Sequence, residues 1–142
     1  MSGTILLDKD TVNFLDDFGD AKVEVKSATL SGSGKKTFVT GTKVCVEGDE
    51  KKVSVPSCLY TTNQYPVSGK GTLRIASLSD DQVARKMKDR GKAVLLKGSQ
   101  LNAVFEVQVP AKKPPPASVS DPTPKYDGKG TFGSTNMKWE AS

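Results

Sequence analysis

Short runs of alternating apolar and polar residues, bounded by glycine and small polar residues, dominate the chain. Lys22-Val23-Glu24-Val25-Lys26 and Phe105-Glu106-Val107-Gln108-Val109 alternate cleanly and place their apolar residues on one face, the pattern of a half-buried strand. Val44-Cys45-Val46, Val53-Ser54-Val55, Leu73-Arg74-Ile75 and Ala93-Val94-Leu95-Leu96 read as further strands. Gly19-Asp20, Gly32-Ser33-Gly34, Gly48-Asp49 and Gly98-Ser99 supply turns, since glycine and aspartate accept the backbone angles that turns need. One stretch reads as a helix over residues 80–90. Ser79-Asp80-Asp81-Gln82 is a capping-box sequence, Leu78 and Val83 are placed as a staple, and Gly91 supplies a stop. Its apolar face is only Val83, Ala84 and Met87, so it is expected on the surface.

The expected fold class is therefore mainly β: a small single-domain structure of β-hairpins, cone-like, with one short surface helix. Residues 1–109 form the β-rich domain, followed by a proline-rich strap or linker over 110–127 and a C-terminal strand segment over 128–142. Within the domain, two copies of one pattern run over about 30–55 and 66–109. Ser33-Gly34-Lys35-Lys36-Thr37-Phe38 is echoed by Ser68-Gly69-Lys70-Gly71-Thr72-Leu73, and Gly41 to Asp49 is echoed by Gly91 to Ser99. The positions that recur are Gly41, Val44, Gly48 and Asp49 in the first copy and Gly91, Val94 and Gly98 in the second. A third fragment, Gly128-Lys129-Gly130-Thr131-Phe132, repeats the first element. Pro110, Pro114, Pro115, Pro116, Pro122 and Pro124 stiffen the strap and keep it out of a sheet interior.

Composition adds limits. The hydrophobic fraction of 35% is low and aromatics are few at 6%, which predicts a thin or flat β-structure with much exposed edge. The net charge of +5 raises nucleic acid as a partner. The basic residues are scattered among carboxylates, with the densest stretch at Arg85 to Lys92, and the aromatics that would stack on bases sit mostly apart from them. A solvated basic surface is the better reading. No run approaches the roughly 20 apolar residues of a membrane helix, and Met1 to Asp8 lacks the features of a signal peptide. The expectation is a protein made in the cytoplasm, without stable membrane insertion.

The chemistry-bearing residues point away from catalysis. There is no histidine, which removes the commonest general base and the commonest zinc ligand. Asp16-Asp17 reads as a turn and Asp80-Asp81 as helix capping. Ser31 to Thr37 looks like part of a phosphate loop, but Thr29 stands where its first glycine belongs and Lys36 where its Ser or Thr belongs. Cys45 and Cys58 are the only cysteines. They read as a structural pair, reduced or oxidised, ahead of a metal site, because two thiolates alone do not complete a tetrahedral zinc site.

From Gly41 to Tyr60 the chain resembles the PAAR and PAAR-like spike-tip proteins of bacterial contractile injection systems, which carry recurrent glycine-bounded strand pairs ending in Gly-Asp. The likeness covers roughly residues 30–110, with Ser99 where the second copy would have aspartate. It implies a structural protein, not an enzyme, that docks on the trimeric spike of a type VI secretion system, phage tail or related particle and sharpens it for piercing a target envelope. It also implies extensions that carry effectors. The family's point is commonly braced by a metal held by histidines and a cysteine. With no histidine here, Cys45 and Cys58 are weak candidates for that place and no cofactor is expected. Rival readings are a basic OB-like module for single-stranded nucleic acid, and an adaptor or immunity protein that binds an effector.

Overall fold

A computed structural model describes residues 3–35, 38–39, 41–116, 118–134 and 140–141. Lys36 and Thr37 of the first Gly-Lys-Thr element, and the Trp139 end of the expected C-terminal strand, lie outside the described residues. The elements in chain order are β1 (Gly3–Thr4), β2 (Thr11–Phe14), β3 (Asp17–Phe18), β4 (Ala21–Val23), β5 (Ala28–Thr29), β6 (Phe38–Val39) and β7 (Thr42–Lys43). After them come β8 (Ser54–Thr62), β9 (Gly69–Ser77), β10 (Val83–Asp89), β11 (Lys92–Leu95), β12 (Leu101–Val109), β13 (Lys125–Gly133) and β14 (Glu140–Ala141). The protein is mainly β, and helical structure among the described residues is limited to short 3-10 turns at Asp49–Lys52 and Asp80–Gln82.

An antiparallel eight-stranded sheet in the order β3-β4-β8-β9-β12-β13-β2-β5 forms the body. It curls into a half-barrel. Only Leu15 and Asp16 separate β2, near one end of the sheet, from β3 at the other, and the Leu15 amide donates to the Lys129 carbonyl at 2.9 Å. Gly128 in β13 admits this approach, because a Cβ there would lie 2.5 Å from the Phe18 ring. Apart from β2 and β5, neighbours in the body follow chain order as a meander. The Greek-key order of an OB-fold is not present. Nor is the sheet thin or flat as the composition suggests. Its concave side closes over Phe18, Tyr60, Phe105, Phe132, Leu73 and Leu101, all nearly inaccessible to solvent. Phe105 lies between Tyr60 and Phe18, with ring centroids 5.1 and 6.2 Å away in tilted geometry, the arrangement aromatic quadrupoles favour. Curvature lets a modest set of apolar residues share one enclosed core.

The helix expected over residues 80–90 is a strand. Gln82 Oε1 does accept from the Ser79 amide at 2.9 Å, as a capping box requires. The turn then stops at Val83, which is already extended, and the Ser79 hydroxyl also donates to the Gln100 carbonyl. Val83, Lys88 and Asp89 pair antiparallel with β11, and the strand bulges between Val83 and Lys88. Arg90 and Gly91 both have positive φ, 53° and 84°, between the paired residues Asp89 and Lys92. That is the two-residue hairpin turn whose twist suits antiparallel strands, so Gly91 reverses a hairpin where a helix stop was expected. With only Val83, Ala84 and Met87 to bury, a helix had no apolar stripe to hold it.

The proline-rich stretch forms the loop between β12 and β13. Val67 and Lys112 exchange both backbone hydrogen bonds at its start, and the Asp121 amide donates to the Ala111 carbonyl at 2.8 Å. A buried polar latch holds its base. Asp121 accepts from the Tyr60 hydroxyl at 2.9 Å, the Tyr126 hydroxyl at 2.6 Å and the Thr123 amide at 2.9 Å, while the Ala111 amide donates to the Tyr60 hydroxyl. Burial alone would raise the Asp121 pKa, but the hydrogen bonds from Tyr126, Thr123 and Tyr60 outweigh it and hold the carboxyl below its ordinary value. Burial, together with the adjacent carboxylate, pushes Tyr60 up to about 12 and raises Tyr126.

The latch sets a pH window for stability. A carboxyl with a lowered native pKa contributes above its unfolded value of about 4 and loses that contribution as pH falls through the native value. A tyrosine with a raised native pKa contributes below about 10 and loses it as pH rises. Urea unfolding at a series of pH values is expected to give a plateau between those limits. Asp121→Asn is expected to cost about 2 kcal/mol at neutral pH and to flatten the acid limb. An acid limb unchanged in the variant would contradict the assignment.

Candidate functional site

The sequence-predicted positions converge on a feature that no single stretch of sequence displays. Three segments, residues 5–7, 44–46 and 94–96, lie head to tail as the sides of a triangle. Antiparallel bridges join them at the corners: Leu7 with Val44, Val46 with Val94, and Leu96 with Ile5. Each corner carries two backbone hydrogen bonds. Cys45 N donates to Leu6 O at 2.9 Å and Asp8 N to Lys43 O at 2.8 Å. Leu95 N donates to Cys45 O at 2.8 Å and Glu47 N to Ala93 O at 2.9 Å. Leu6 N donates to Leu95 O at 3.0 Å and Lys97 N to Thr4 O at 2.8 Å. The ring is closed, so Leu6, Cys45 and Leu95 each donate to one side and accept from the other.

Side chains alternate along each side of the triangle. The middle residues Leu6, Cys45 and Leu95 are fully buried in the half-barrel core. The flanking residues Ile5, Leu7, Val44, Val46, Val94 and Leu96 form a second cluster with Ala84, and Met87 packs against it. The triangle is thus a partition between two cores, and β10 covers its second face.

The corners share one design. After each side the chain turns through a residue with positive φ: Lys9 at 73°, Gly48 at 101° and Gly98 at 55°. The amide that closes each side then needs a partner. Asp10 Oδ2 accepts from Leu7 N at 2.7 Å, and Asp49 Oδ2 accepts from Val46 N at 2.8 Å. At the third corner Ser99 stands in the aspartate's place. There the Leu96 amide donates to the Gln82 carbonyl at 2.8 Å, and Asp81 accepts from the Ser99 amide at 3.0 Å. The turn at Asp80–Gln82 supplies from outside what the third segment lacks.

Gly41 and Gly91 have matching φ of 83° and 84° and sit in the turns of the β6–β7 and β10–β11 hairpins that feed two of the sides. Val44 and Val94 begin those sides and are fully buried. The first elements of the two sequence copies have unlike settings: Ser33-Gly34 lies on the triangle outside any strand, whereas Gly69 to Leu73 lies in β9. The segment that looked like a phosphate loop presents its amides to the protein's own carboxylates. Gly32 N donates to Asp8 at 2.8 Å, Ser33 N to Asp49 at 3.0 Å and Lys35 N to Asp89 at 3.2 Å. Gly34 lies so close that a Cβ would come within 2.7 Å of the Val44 side chain.

Cys45 and Cys58 are both free and buried in the larger core. Burial, with Asp49, Asp10 and Asp8 nearby, drives the Cys45 thiol far above its usual pKa, and burial also raises Cys58. Cys45 packs there among apolar side chains as a small core residue. Among the described residues no group of three or more His, Cys, Asp or Glu side chains is placed to hold a metal ion. No helix among them is long and apolar enough to cross a membrane.

The family described as contractile injection system spike tip protein matches residues 1–142. The chain belongs to that family. Its role is accordingly structural, at the tip of a contractile injection apparatus and in association with a spike protein of that apparatus. No curated protein matches the chain. Within this spike-tip protein, the first side of the triangle, Ile5-Leu6-Leu7-Asp8-Lys9-Asp10, is the segment that the two-copy reading of the sequence missed. Its apolar triplet followed three positions later by aspartate matches Val44 to Asp49. The clue was masked because Lys9 occupies the left-handed position that glycine fills in the other two segments.

Replacing Asp49 by alanine strands the buried Val46 amide and frees Ser33, and is expected to cost about 3 kcal/mol. Asp10→Ala should be of similar size, and Asp81→Ala, at an exposed side chain, about 1 kcal/mol or less. Chemical denaturation of the three variants checks the order; equal losses at all three would contradict the corner assignment.

Proposed function

We propose that this spike-tip protein caps the end of a trimeric spike, using the three-sided layer as the match to the spike's symmetry, and that it sharpens the apparatus for piercing an envelope. A single chain that closes a three-chain end must offer similar contacts in three directions, a requirement an asymmetric monomer rarely meets. The observation that carries the reading is the head-to-tail triangle with its three like corners. Each corner also leads with a charged residue at the same position, Asp8, Glu47 and Lys97. Two stacked cores suit a part that transmits force, since close-packed interiors resist compression. The reading calls for no catalysis, in keeping with a sequence that lacks histidine.

Mixing the protein with the trimeric spike of its own apparatus and measuring mass by size-exclusion chromatography with light scattering tests this directly. The expected product is three spike chains to one tip. The charge reversal Lys97→Glu, at an exposed side chain, is expected to weaken that complex at least about tenfold while leaving the unfolding curve unchanged. A tip that elutes alone beside its spike would overturn the proposal.

A further inference from the structure

The β10–β11 hairpin concentrates the molecule's charge. Arg85, Lys86, Lys88, Arg90 and Lys92 are all exposed, whereas the one acid of the run, Asp89, is buried and accepts from the Lys35 amide. Of the 21 basic and 16 acidic residues that give the chain its +5, residues 83–92 of this hairpin hold five and one, so nearly all the net charge sits here. Neither of the two ion pairs among the described residues involves the hairpin. Acids beside it serve the backbone: Glu47 accepts from the Ala93 amide, and Asp80 and Asp81 lie in the turn before it, where Asp81 accepts from the Ser99 amide. Its apolar residues are turned inward, Ala84 being buried and Met87 packed on the second core. Stability therefore asks for none of the five cations, and their mutual repulsion works against the fold.

We propose that this hairpin is a peripheral, electrostatic contact site for an anionic lipid surface. The composition selects that partner. Packed protein interfaces are depleted in lysine and anchored by aromatic residues, and residues 83–92 carry three lysines and no aromatic side chain. The same lack of aromatics removes the stacking platforms that single-stranded nucleic acid requires. What is left is a cluster of long cationic side chains on a bulged two-stranded hairpin, the arrangement attracted to lipid phosphates. With no exposed apolar wedge on the hairpin, contact is confined to the headgroups. The inference stands on the hairpin alone and does not depend on how the chain docks on a spike.

Cosedimentation of the intact protein with phosphatidylglycerol–phosphatidylcholine vesicles tests it, at low and high salt and beside vesicles of phosphatidylcholine only. Binding is expected only to the anionic vesicles and is expected to fall steeply with salt. Replacing Arg85, Lys86, Lys88 and Lys92 together by glutamine is expected to lower the affinity at least about a hundredfold. Removing four exposed lysines elsewhere, Lys26, Lys51, Lys112 and Lys125, is expected to change it less than about tenfold. Equal losses in the two variants would show that net charge acts without a site and would overturn the proposal. So would tighter binding to single-stranded oligonucleotide than to anionic vesicles, or no vesicle binding at low salt.

Discussion

Closure of three chain-distant segments into one hydrogen-bonded ring is the constraint on which the rest of this protein depends. Residues 5–7, 44–46 and 94–96 contribute one side each, and each side is completed only by the other two. No side has an edge left to pair elsewhere along the ring, which removes the liability that short open strands carry. Because the middle residues face one core and the flanking residues the other, losing any side exposes both. Long loops must close before the ring yields its stabilisation, and that cost rises only slowly with length. Insertions between the sides are therefore tolerated: β2 to β5, β8, β9 and β10 occupy those intervals, whereas β12 and β13 follow the third side.

Carboxylates are the second material of the structure. Asp8, Asp10, Asp49, Asp89 and Asp121 all accept backbone amides or hydroxyls at buried or partly buried positions. A chain with few aromatics thereby satisfies donors in its turns and loops that a purely apolar core would leave stranded. The low hydrophobic fraction is the composition of a fold built around turns, and it did not prevent a closed core.

Much of the β-structure was legible in the sequence because local alternation decides local geometry. Lys22 to Lys26 and Phe105 to Val109 fall in or beside strands, and the recurring Gly-x-x-Val element leads into two sides of the triangle. The misread stretch, residues 80–90, carries a true capping turn at its start, but tertiary pairing with β11 makes the chain a strand from Val83 onward. The first side escaped notice because Lys9 takes a glycine's backbone angle, a substitution that the surrounding ring enforces and that local sequence cannot announce. Ser99 looked like a lost aspartate. It is complemented in space by Asp81 and Gln82, a relation that no spacing rule reveals. The curl of the sheet was likewise invisible, because it rests on the approach of Gly128 to Phe18 across the fold.

Native-state hydrogen exchange of the ring amides tests the central claim most directly. The amides of Leu6, Cys45, Leu95, Asp8, Glu47 and Lys97 each close a corner. If the ring is one cooperative unit, all six exchange with a common free energy, equal to that of global unfolding. If the amides of one side exchange at a markedly lower free energy while the other two sides stay protected, the triangle is not a closed unit and the account fails at its foundation.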